Sequence, residues 1–154
     1  MKHLLAALIV AFPLSVFAQA TTPPTAPTLD TQRCATKLAI ALTGRSADTA
    51  LLASTNPQSQ VDQLLQGSAF IERFSRYVNA RFNDEPGATS VEDAAYHLSR
   101  HVLTNRLPWS DLFLGPFRVD TVNNQVQVVN DPNGLGYLRS PAWLRRYVAT
   151  RKTA

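Results

Sequence analysis

The residues of this chain whose type and spacing come nearest to chemistry are Asp93, His97 and His101, in the run Asp93-Ala-Ala-Tyr-His97-Leu-Ser-Arg-His101. Successive members are four apart, so on a helix they follow one another along one flank. Two imidazoles one turn apart can chelate zinc or copper, and a carboxylate at the same spacing can complete the set. A metal-dependent enzyme using His97 and His101, with Asp93 as a further ligand, is therefore one functional reading. The same helix argues against it. Val91, Ala95, Leu98 and Val102 mark its buried face, which sets Asp93, Arg100 and Thr104 on the opposite polar arc, with His97 beside them and His101 at the edge. Arg100 disfavours a cation there, and any further ligand must come from another element. A solvated polar face accounts for the three residues more simply.

Other chemistries find less support. No Gly-x-Ser-x-Gly elbow occurs, and the single cysteine, Cys34, could form a thiol dyad only if folding joined it to a histidine. Glu92-Asp93 and Asp84-Glu85 are adjacent carboxylates at a helix start and a turn, where negative charge has a structural use. Gly134-Leu-Gly136 lacks the remaining glycine and the lysine of a phosphate loop. With no Cys-x-x-Cys-His run, no haem is expected, and no other cofactor is indicated. A second surface is the basic aromatic end around Trp143 and Tyr147, where Arg145, Arg146 and Arg151 could meet an acidic partner or lipid headgroups. Its simpler account is a docked terminal helix with solvated arginines.

The elements that must position these residues begin after an export leader. MKHLLAALIVAFPLSVFAQA, residues 1–20, joins a charge, a short apolar run and a small-residue end, the signal-peptide pattern. The run is short for a membrane span, and no later segment is long and apolar enough for one. The expected location is periplasmic or secreted. Export argues against nucleic acid as a partner, and the formal net charge of +4 suits an acidic one. Residues 21–28, TTPPTAPT, read as a Pro/Thr-rich linker, and residues 29–154 as one domain.

Within that domain the punctuation is helical. Thr31 or Asp30 can cap a helix carrying Leu38, Ile40 and Leu42 and closed by Gly44; Ser46 can cap a short turn; Asn56-Pro57 opens a helix ending at Gly67. Ser68 opens the next. Its Phe70, Ile71, Phe74, Tyr77, Val78 and Phe82 share an apolar arc of about 140°, with Arg81 intruding and Glu72, Arg76, Asn79 and Asn83 outside it. Ser90-Val-Glu-Asp93 is a capping box with Asp in place of Glu or Gln. Around Asn123-Asn124 the apolar period changes to two, a β-hairpin signal. Ser140-Pro141 then opens a last helix. The expectation is a mainly α fold, a bundle of about five to six short helices with a small β-hairpin near the C-terminal part.

Several strings also occur together in a familiar order: Leu42-Thr43-Gly44-Arg45, then Leu64-Leu65 with Phe70-Ile-Glu72-Arg73-Phe74, then Pro108-Trp109-Ser-Asp111-Leu112. Over roughly residues 33–115, and more loosely to Gly134-Leu-Gly-Tyr137 and Trp143, the chain resembles helical domains of unknown function in large exported bacterial proteins, often associated with planctomycete-type c-type cytochrome modules. The resemblance implies an N-terminal portion of such a protein, with acidic or redox envelope proteins as neighbours. It supplies no catalytic residues. The resulting expectation is an exported non-catalytic helical module acting in interaction or assembly.

Overall fold

A computed structural model describes residues 26–87 and 90–148 of the chain. The expected leader at residues 1–20, the linker up to residue 25 and Arg151 lie outside the described residues. The first helix, α1 (Leu29–Thr43), is capped one turn earlier than expected, since the Thr28 side chain accepts from the Thr31 amide. Gly44 closes it in the left-handed region at φ 69°, sending its N–H to the Ile40 carbonyl. Its buried stripe is Ala35 and Ala39, not the larger side chains. Ile40, expected inside, is 52% exposed. Two alanines one turn apart let α2 (Thr49–Leu52) and α3 (Val61–Gln66) come close, and with Leu51 they form a small satellite core. Asp48, rather than Ser46, caps α2 by accepting from the Leu51 amide at 2.8 Å. Pro57 opens a 3₁₀ turn, Pro57–Gln60, that leads into α3.

The main core lies between α4 (Ser68–Phe82) and α5 (Ala94–Thr104). Small residues at their contact (Ser75, Ala94, Ala95 and Ser99, each at most 1% exposed) let the helices approach, while Val78, Leu98 and Val102 supply apolar burial. Burying a side chain the size of Leu98 contributes roughly 1.5–3 kcal/mol. The apolar arc expected for α4 is partly rotated. Tyr77 is 56% exposed and Asn79 only 1%, so an asparagine takes a core position that hydrophobic counting gives to a tyrosine. Arg81 avoids the core by lying over the exposed Tyr77 ring at 5.7 Å, and the Glu72–Arg76 pair forms as expected, at 2.7 Å.

Beyond α5, helix α6 (Asp111–Leu114) drives Leu112 into the core, and a 3₁₀ turn, Gly136–Arg139, lays Tyr137 beside it. The Tyr137 hydroxyl donates to the Phe82 carbonyl at 2.7 Å, and burial pushes its pKa up to about 12. Gly136 is required here: at φ 47° it passes so near α6 that a Cβ would stand 2.6 Å from the Leu112 carbonyl oxygen. Strands β1 (Phe117–Val122) and β2 (Gln125–Asn130) pair antiparallel, Phe117 opposite Asn130 and Val122 opposite Gln125. Asn123 and Asn124 both have positive φ, 53° and 60°, which matches the twist of a two-residue hairpin. The last helix opens at Ser140-Pro141 as expected but changes its winding. Helix α7 (Pro141–Trp143), capped by Ser140, passes at once into a π turn, Leu144–Val148. The fold is mainly helical with one small hairpin near the C-terminal part, as expected.

Candidate functional site

Asp93, assigned above to a solvated arc, is 1% exposed. Residues 91–93 form a 3₁₀ turn rather than the first α-helical turn of α5, which swings the carboxylate inward. Its Oδ2 accepts from the Ser90 amide and hydroxyl, both at 3.2 Å, closing the capping box. Its Oδ1 accepts from Asn79 Nδ2 at 2.6 Å, Asn83 Nδ2 at 3.0 Å and the Gly87 amide at 2.9 Å. One carboxylate thereby joins the end of α4, the turn after it and the start of α5.

The histidines do not converge on that carboxylate as a ligand set. His97 is half-buried, hydrogen-bonded to the Ser90 backbone, with Nε2 buried and without a hydrogen-bond partner among the described residues. Burial lowers its pKa, helped by the charge of Arg100, and outweighs the opposing Ser90 bond and Asp93 charge. The His101 ring meets Phe117 edge-on at 4.7 Å, its Nδ1 lies 3.3 Å from Asn105 Nδ2, and burial lowers its pKa too. Among the described residues, no three His, Cys, Asp or Glu side chains come together in a way that could hold a metal ion. Cys34 is half-buried with a free thiol, and Gln58 Nε2 donates to its sulfur at 3.1 Å.

The basic C-terminal end folds back on the molecule. Arg145 makes a two-pronged pair with Glu92, Nη1–Oε2 at 3.0 Å and Nη2–Oε1 at 2.5 Å. Arg146 reaches Asp84 at 3.3 Å and the Arg81 carbonyl at 3.2 Å. Both of these expected partner contacts therefore fasten the π turn to α4 and to the 3₁₀ turn before α5.

A second basic surface lies elsewhere. A cleft of about 1090 Å³ opens between the C-terminal end of α1, helices α3 and α4, and the C-terminal half of α5. Five arginines line it (Arg45, Arg73, Arg76, Arg100 and Arg106) against a single carboxylate, Glu72. What holds each guanidinium decides its use. Arg73 donates to the Ile40 carbonyl at 2.9 Å, Arg106 to the Gln66 side-chain oxygen at 2.7 Å, and Arg100 to the Tyr96 hydroxyl at 3.3 Å. These acceptors orient the groups without cancelling their charge. Arg45 has no side-chain hydrogen-bond or ion-pair partner among the described residues. Only Arg76 has a carboxylate, and Glu72 divides itself between Arg76 and the Tyr96 hydroxyl, which donates at 2.7 Å. Burial opposes ionisation of Glu72, but the bonds from Tyr96 and Arg76 and the charges of Arg76 and Arg100 hold its carboxyl below the usual range.

Two backbone features keep the cleft basic. Gly44 leaves room for Arg73: a Cβ there would stand 2.3 Å from Arg73 Nη1. Arg106 occupies the left-handed position of a Schellman motif, at φ 54°, with its own amide bonded to the Leu103 carbonyl and the Leu107 amide to that of Val102. Glycine is the usual residue there, because a side chain costs about 1–2 kcal/mol of local strain. Planar guanidinium forks held this way match carboxylate and phosphate oxygens in pairs. The cleft was not foreseen, because its arginines lie far apart in sequence, from position 45 to position 106, and form no linear motif. No family model matches the chain, and no curated protein or solved structure does either.

Proposed function

We propose that the protein is an exported, non-catalytic helical module that binds acidic partner proteins in the cell envelope, with the arginine cleft as its contact surface. The observation that carries this reading is the cleft's charge: five guanidinium groups face one carboxylate, and three of them are held by neutral acceptors. Pre-oriented, incompletely neutralised arginines favour association with anionic groups and lower the ordering cost of binding them. The leader-like residues 1–20 support the envelope as its location. The resemblance to domains associated with c-type cytochrome modules supports a redox envelope protein as the acidic partner.

The test is titration of the purified protein with a fluorescent oligoglutamate peptide at low and moderate salt. Binding that weakens steeply with salt and is lost in the Arg45→Glu, Arg106→Glu double variant is expected. Binding that survives the double variant, or failure of oligoglutamate and of mixed acidic peptides alike to bind at low salt, would remove the proposal.

A further inference from the structure

The cleft is not uniformly basic, and its departures from uniformity describe the ligand. Between the arginines its lining includes the half-buried Leu65, Ala69, Leu103 and Leu107, an apolar set from α3, α4, α5 and the residues just after α5. Glu72 sits in the wall with its carboxylate turned to Arg76 on one side and Tyr96 on the other. From these features we propose that the cleft takes a polypeptide segment in which carboxylates are interspersed with apolar side chains, in preference to a uniformly anionic chain. The inference rests on the acid-binding reading above and refines it.

Three arguments lead there. At about 1090 Å³ the cleft exceeds what one phosphate or one small anion fills, and lies just above the usual range of sites for compact organic ligands. A ligand that fills it must present several groups. The apolar lining gains by covering, about 0.8 kcal/mol for each methylene removed from water, and a chain bearing carboxylates alone leaves that gain unused. Glu72 is the one carboxylate in the lining and its bonds are already taken by Arg76 and Tyr96, so a ligand gains most by placing an uncharged group there while its acids reach Arg45, Arg100 and Arg106. A polymer with charge at every unit cannot do both. An acidic segment carrying leucine-like side chains can, because flanking residues then supply neutral groups at the glutamate and carboxylates at the arginines.

The experiment compares peptides of equal length by fluorescence anisotropy: alternating Glu-Leu, alternating Glu-Ser and all-Glu, with inorganic polyphosphate as a non-peptide polyanion. The Glu-Leu peptide should bind about tenfold or more tighter than Glu-Ser, and the advantage should shrink in Leu103→Asn. Glu72→Gln should bring the all-Glu peptide closer to Glu-Leu by several-fold. Circular dichroism checks that each variant is folded, and Leu107→Asn replaces Leu103→Asn if the latter is not. Equal affinity for Glu-Leu and Glu-Ser would overturn this inference while leaving acid binding intact. Tighter binding of polyphosphate than of any peptide would also overturn it, in favour of a phosphate ligand. Failure of every polyanion to bind, or binding indifferent to Arg45→Glu with Arg106→Glu, would overturn the acid-binding reading itself.

Discussion

Two charged regions of this molecule are built on opposite rules. At Asp93 a single carboxylate is buried and meets at least five donors from three segments. In the cleft, several arginines are held in place by neutral oxygens and left short of counter-charge. A buried polar group with its bonds complete contributes to holding the fold together. A charged group oriented but not neutralised still has an interaction to make. The contrast separates a structural site from a recognition site without appeal to residue type, for Asp93, the candidate metal ligand, belongs to the first class.

The largest effect that would test the contrast is at the hub. Asp93→Ala leaves Asn79, Asn83 and two backbone amides without their acceptor, and a loss of about 3–5 kcal/mol in urea-unfolding stability is expected. Arg45→Ala, in the cleft, should change stability by less than about 0.5 kcal/mol. If the two variants unfold at similar urea concentrations, the distinction between the regions fails.

A smaller effect of opposite sign comes from Arg106. Replacing it by glycine relieves the left-handed strain, partly offset by the greater freedom of an unfolded glycine, and should raise stability by about 0.5–1 kcal/mol. The same change should weaken oligoglutamate binding. A gain in stability with a loss of binding marks a residue retained for recognition. A loss of stability would mean that the bond to Gln66 outweighs the strain and that Arg106 is held for structure.

How much of this was readable from the chain follows the range of each interaction. The capping box at Ser90 and Asp93, the Gly44 stop and the Asn123-Asn124 hairpin depend on residues within a few positions of one another, and all three formed. Asn79 could not be placed, because a helical projection sorts by polarity. It gives no hint that a buried asparagine has an aspartate fourteen positions away to bond. The cleft was hidden for the same reason at longer range. Arg106 reaches Gln66 and Arg73 reaches Ile40 only after α1, α3, α4 and α5 have packed. The C-terminal arginines lie together in sequence, but Glu92 and Asp84, with which they pair, come from a distant part of it.

The smallest predicted effect is in pH, and it separates the two regions by the window in which each responds. His97 packs beside the hub with its pKa lowered by folding from a reference of 6.5. A base with a lower pKa in the folded state binds fewer protons there than in the unfolded chain. Stability is therefore full above pH 6.5 and declines as pH falls through that value toward the folded pKa. His101, also lowered by burial, adds to the same window. Glu72 behaves as an acid stabilised in its charged form, with its folded pKa below the reference of 4.5. Its contribution persists until pH falls below 4.5 and disappears as pH passes through the lower folded value. Melting temperature followed from pH 8 downward should thus fall in two stages. His97→Gln should shrink the upper stage, leaving the part due to His101, without changing the lower one, whereas Glu72→Gln should shrink only the lower. A single stage removed by neither variant would mean that other carboxylates govern the acid response, and that neither the histidine at the hub nor the glutamate in the cleft is coupled to folding as its surroundings imply.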